Sequence, residues 1–114
     1  MIRLLVLFLF FSFSVFADYL EVSGVTVKMT AKNSLTAKQR AVTTSYHKAF
    51  GKLLTSYFPN AKSVQNKIPE KEIQDCVYDY SIDHEKFSGR VYIAQFSFRF
   101  DEDKVARILK DHNI

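Results

Sequence analysis

Along residues 91–100 apolar side chains take every second position. Tyr92, Ala94, Phe96, Phe98 and Phe100 alternate with Gln95, Ser97 and Arg99. Such a period-two run predicts a strand that buries one face and wets the other. A second run behaves alike: Cys76, Tyr78, Tyr80 and Ile82 alternate with Asp79, Ser81 and Asp83. A turn near Ser88-Gly89 would join the two into an antiparallel hairpin. Residues 19–31, "YLEVSGVTVKMTA", are also β-like. Leu20 and Val22 share one phase, Val25, Val27 and Met29 the other. The flip at Ser23-Gly24 predicts a bulge.

The periodicity changes after residue 31. Leu35, Val42, Tyr46, Ala49, Phe50, Leu53 and Tyr57 recur on one helical face, with Lys38, Lys48 and Lys52 on the other. Thr36-x-x-Gln39 has the form of a capping box, each side chain satisfying a free backbone N–H. Pro59 ends the helix. Residues 59–69 read as a polar loop, and 70–75 as a short helical turn behind Pro69. Val105, Ile108 and Leu109 give 101–112 an apolar stripe. The order is strand, helix, strand, strand, helix. It predicts an α+β fold, β-α-β-β-α: a three-stranded sheet of the split βαβ, ferredoxin-like kind. The third strand is placed between the first and second, with the helices packed on one face.

The opening "MIRLLVLFLFFSFSVFA" is different in character. Arg3 precedes an uncharged run from Leu4 to Phe16, and Val15-Phe16-Ala17 suits a cleavage site. This is the pattern of a secretory signal peptide, residues 1–17, cleaved after Ala17. The run is shorter than the roughly 20 residues of a membrane-spanning helix. Residues 18–114 would then be one small domain, periplasmic or secreted, with no transmembrane span in the mature chain. Cys76 is the sole cysteine, so no intrachain disulfide forms. The strand pattern predicts that it is buried.

Three acids, Asp101, Glu102 and Asp103, offer the most open chemistry. Asp101 directly follows the last strand residue and precedes an apolar helix, the position of an N-cap. Glu102 and Asp103 then lie in the first turn, where the helix dipole favours negative charge. A helix start explains all three without a ligand. His47, His84 and His112 are far apart, and the sequence carries no zinc, phosphate-loop or nucleophile motif. No cofactor, metal site or catalytic residue is expected.

Charge adds one further signal. The chain carries 16 Lys and Arg against 12 Asp and Glu. Between Val22 and Pro69 lie eight basic residues and no acid. This stretch could simply be a solvated helix face. The functional alternative is a basic interaction face on Lys38, Lys48 and Lys52 for an anionic envelope component or an envelope protein. Nucleic acid is disfavoured, because no aromatic is interleaved on the basic face for base stacking.

The ordered features, namely the exported N-terminus, "AKQRAVTTSYHKAFGKLL", "YDYSI" and "FSFRFDEDKVARILKDHNI", resemble a family of bacterial envelope proteins. That family is known as domain of unknown function 2066. Val77 and Tyr80, Phe100-Asp101 and Ile108-Leu109 correspond to its motifs. "LLTSYFPN" departs from the family's Arg-Leu-Thr-Gly-like turn. A remoter likeness is to the N-terminal domain of flagellar assembly protein T. Both resemblances imply a non-catalytic periplasmic binding or assembly module. The alternatives are a secreted effector or inhibitor of another protein and, third, a small hydrolase.

Overall fold

The structure, a computed structural model, describes residues 18–112. The expected signal peptide lies outside the described residues. Strand β1 spans Tyr19–Thr30, helix α1 Ser34–Tyr57 and a 3₁₀ segment Pro59–Lys67. Helix α2 (Glu70–Cys76), strands β2 (Val77–Ser88) and β3 (Val91–Asp101) and helix α3 (Glu102–Asp111) follow. The sheet has the order β1-β3-β2, and both pairings are antiparallel. The result is an α+β fold with the third strand in the centre.

Strand β3 holds the core because each alternate side chain points at the helices. Tyr92, Ala94, Phe96, Phe98 and Phe100 are all buried, and the residues between them are half-exposed. Leu20, Val22, Val25, Val27 and Met29 of β1 lie opposite them in register. The register slips between Val22 and Val25, where Gly24 has φ +68°. Only a residue free of a Cβ takes that left-handed conformation without strain, so the bulge sits at the glycine.

Helix α1 meets these rings with small residues. Ala37, Ala41, Ser45 and Ala49 recur four apart and are fully buried. Four-residue spacing keeps them on one face, so the helix comes close to the phenylalanine row. Ser45 stays satisfied there by donating to the Val42 carbonyl at 2.6 Å. The buried face is therefore rotated from the expected one. Leu35 is 65% exposed and Tyr57 46%, with Val42 and Tyr46 at the margin.

Three further expectations need correction. The capping box at Thr36 and Gln39 does not form. Asn33, in extended backbone, is the N-cap of α1, and its side chain accepts from the Thr36 N–H at 2.8 Å. The helix thus begins three residues earlier, with Thr36 inside its first turn. The 59–69 stretch is mostly 3₁₀ helix rather than open loop. Cys76 is buried but ends α2 instead of opening β2.

Strand β2 departs furthest from its pattern. Tyr78, Tyr80 and Phe87 are exposed, so β2 lacks the buried face that alternation predicts. For Tyr80 and Phe87 the physical reason is the position of α1, which packs over β1 and β3 and reaches β2 only at its margin, whereas a register slip between Val77 and Asp79 turns Tyr78 to the other face of the sheet. At the far end, Asp101 caps α3: its carboxylate accepts from the Lys104 N–H at 3.1 Å. Glu102 and Asp103 occupy the first turn of that helix.

Candidate functional site: a lysine-lined cavity beside the free edge of β1

Strand β1 pairs on one side only, so its outer edge carries unpaired backbone groups. Helix α1 covers that edge with side chains. Tyr57 donates its hydroxyl to the Glu21 carbonyl. Lys52 donates to the carbonyls of Ser23 and Gly24, at 3.1 and 3.4 Å. Lys48 donates to the Thr26 carbonyl. Lysine over an edge and a bulge within it both hinder pairing with another chain. Part of the basic bias of α1 therefore has an intramolecular purpose.

The predicted basic face is divided by this arrangement. Lys38, near the start of the helix, reaches β2 instead, where it pairs with Glu85 at 2.9 Å. Its ammonium also lies 5.6 Å from the centre of the Phe87 ring and 5.9 Å from that of Tyr92. Lys38 is thus a strut between α1 and β2. Lys48 and Lys52 remain together, and a residue the pattern did not single out joins them. Lys62 of the 3₁₀ segment donates to the Gly51 carbonyl at 3.3 Å and to Gln65 Oε1 at 2.9 Å. Gln65 Nε2 in turn donates to the His47 carbonyl at 3.0 Å. A Cβ built at Gly51 would lie 2.7 Å from Gln65 Nε2, so the glycine lets the 3₁₀ segment settle on α1.

Lys48, Lys52 and Lys62 line one cavity of about 340 Å³ together with Gly51, Thr55 and Gln65. Among the described residues no carboxylate lies within ion-pair distance of any of the three. The single sequence signal for Lys62 was its place in the acid-free stretch; its approach to Lys48 and Lys52 is tertiary.

Two other clusters are already self-contained. On the uncovered sheet face, the Arg99 guanidinium pairs with Asp79 through both of its carboxylate oxygens. Its carbon lies 4.9 Å from the centre of the Tyr78 ring and 5.3 Å from that of Tyr19. The hydrogen bond from Arg99 holds the Asp79 carboxyl below its ordinary range. Between α2 and α3, Cys76 adjoins a cavity with Glu72, Asp75, Lys104 and Arg107 at its sides. Burial pushes the Cys76 thiol up to about 12, which leaves it protonated and unreactive at neutral pH. His112 meets Glu72 at 2.9 Å. Among the described residues no three or more His, Cys, Asp or Glu side chains are grouped to hold a metal ion, and no helix is long and apolar enough to cross a membrane.

No protein-family model matches the chain, and no curated protein or solved structure matches it either.

Proposed function

We propose that the protein is an exported, non-catalytic binding module that engages an anionic envelope component through the lysine-lined cavity. The observation that carries this reading is the shared position of Lys48, Lys52 and Lys62 without a neighbouring carboxylate. Three like charges in one place repel one another, and an incoming anion relieves that repulsion. The signal-like N-terminus supports an envelope address, as does the likeness to the envelope family. The second cluster of charge, Arg99 with Asp79, is internally neutralised and offers an anion much less.

Co-sedimentation with vesicles tests the reading. Wild-type protein should pellet with vesicles containing an anionic lipid and not with neutral ones, and salt should weaken the binding. The double reversal Lys48→Glu and Lys52→Glu should abolish it, with folding checked by circular dichroism. The double reversal Lys28→Glu and Lys86→Glu, at exposed positions of the sheet that both pair with Ile93, is the control for net charge. Equal losses in both variants would mean that the cavity is not the binding surface. Recovery of the mature chain from the medium rather than the periplasm would favour a secreted effector.

A further inference from the structure

The lysine cavity has more organisation than a diffuse basic patch. Each ammonium carries three N–H donors. Lys48 commits one of them to described residues, and Lys52 and Lys62 make two contacts each. Every one of the three therefore keeps at least one donor for a ligand. Their contacts also hold them in place. Two are tethered to backbone carbonyls of β1, the third to a carbonyl of α1 and to Gln65. A ligand would find these long side chains already ordered, which lowers the entropy lost on binding.

We infer that this cavity is a site for a terminal phosphoryl group, and this inference rests on the anion-binding reading above. A planar carboxylate carries one charge and is best matched by the flat fork of arginine. The cavity has no arginine and three ammonium point charges. A phosphomonoester carries about −1.5 to −2 charges at neutral pH and three terminal oxygens. Three oxygens spread over a tetrahedral face can each accept from a separate lysine. The charge is also closer to balance than with a carboxylate. The space of about 340 Å³ admits the phosphoryl group with part of the molecule that bears it. Two sources share this chemistry: a soluble phosphorylated compound and the head group of a phosphomonoester lipid.

The probes are inorganic pyrophosphate and vesicles containing either phosphatidic acid or phosphatidylglycerol, a monoester and a diester. Amide resonances are followed at about 0.15 M salt, where long-range attraction is largely screened. Pyrophosphate should saturate one site per chain and move the resonances of Gly51, Thr55 and Gln65. Lys62→Gln should weaken binding by at least about tenfold, equivalent to ~1.4 kcal/mol. That variant leaves both lysine contacts to β1 in place, so it remains informative even where changes at Lys48 or Lys52 unsettle the edge. Lys28→Gln should leave the affinity unchanged. Preference for phosphatidic acid over phosphatidylglycerol vesicles would identify the lipid source. Saturable pyrophosphate binding without that preference would identify a soluble one. Absence of saturable binding, or equal losses from Lys62→Gln and Lys28→Gln, would overturn the phosphoryl site. If phosphatidylglycerol vesicles were still bound in a lysine-dependent manner, the broader anion reading would survive that loss.

Discussion

Tyr92 buries its ring completely and donates its hydroxyl to the Glu85 carboxylate at 2.6 Å. Glu85 also receives the Lys38 ammonium, so one carboxylate joins the central strand, the edge strand and α1. This contact matters because α1 does not cover β2. Apart from its pairing with β3, the edge strand is held by a few such side-chain links, including the Tyr46–Tyr80 ring contact at 5.7 Å.

The clamp has a pH signature. The Tyr92 hydroxyl, and after it Lys38, hold the Glu85 carboxyl below its ordinary range. A lowered folded-state pKa means that ionised Glu85 favours the fold. Its contribution is present above the ordinary value of about 4.3 and is lost as pH falls through the lower folded value. Glu85→Gln should therefore lower Tm at pH 7 and flatten the decline of Tm on acidification. Tyr92→Phe should move Glu85 back toward its ordinary value while leaving the ring in place. Asp79, held low by Arg99, should keep part of the acid sensitivity in both variants. Identical acid profiles for wild type and Glu85→Gln would show that the clamp contributes nothing to stability.

The strand order and the core of β3 were legible because alternation on a central strand is decided locally. Phe96, Phe98 and Phe100 have neighbours on both sides and a helix above, so their pattern and burial agree. The same alternation misleads at Tyr80, since burial of an edge strand depends on where the helix stops, and at Tyr78, which a register slip between Val77 and Asp79 turns to the uncovered face beside Arg99. At the start of α1, Asn33, Ser34 and Thr36 are all good cap residues. The backbone at Asn33 decides among them, with φ −151° and ψ 167°. The lysine cavity was half legible. Lys48 and Lys52 share a helix face at i and i+4, whereas Lys62 arrives by the path of the 3₁₀ segment.

That path gives a prediction at Gly51. Alanine in place of a helix-interior glycine ordinarily gains about 0.8–1.0 kcal/mol. Here the added Cβ would press on Gln65 and Lys62. Gly51→Ala alone should gain much less, or lose stability, as Gln65 leaves its seat on the His47 carbonyl. In a Gln65→Ala background the two nearest contacts are gone and only the end of the flexible Lys62 side chain, 3.0 Å away, has to shift, so the same change should recover most of the ordinary gain. A double-mutant cycle by urea denaturation measures the difference. Equal gains in the two backgrounds would show that Gln65 is not seated there.

Cys76 should report the integrity of the α2–α3 corner. It is fully buried and shares the common core with Val105 and Leu109, and burial pushes its thiol up to about 12. The thiolate is the reactive form, so burial and protonation act in the same direction. At pH 8 a thiol reagent should label the native protein only at the rate of unfolding, and label it at once in denaturant. Rapid labelling of native protein would place the thiol at the surface.

The two long-range helices of the fold depend on caps that can be ranked by substitution. Asn33 caps α1 and Asp101 caps α3, each accepting from the N–H three residues on. Replacing either with alanine should cost about 0.5–2 kcal/mol. Asp101→Asn should be nearly neutral, because asparagine caps about as well. Thr36 lies within the first turn with no capping contact, so Thr36→Ala should be neutral or slightly stabilising through the better helix propensity of alanine. Glu102→Gln and Asp103→Asn should each cost only about 0.3–1 kcal/mol, through their interaction with the helix dipole. Chemical denaturation of the six variants gives the order directly. A cost at Thr36 that matched Asn33 would restore the capping box. Loss of phosphoryl or vesicle binding in the Asp101→Asn, Glu102→Gln or Asp103→Asn variants, with stability unchanged, would reveal that these acids act in function and not only at the start of a helix.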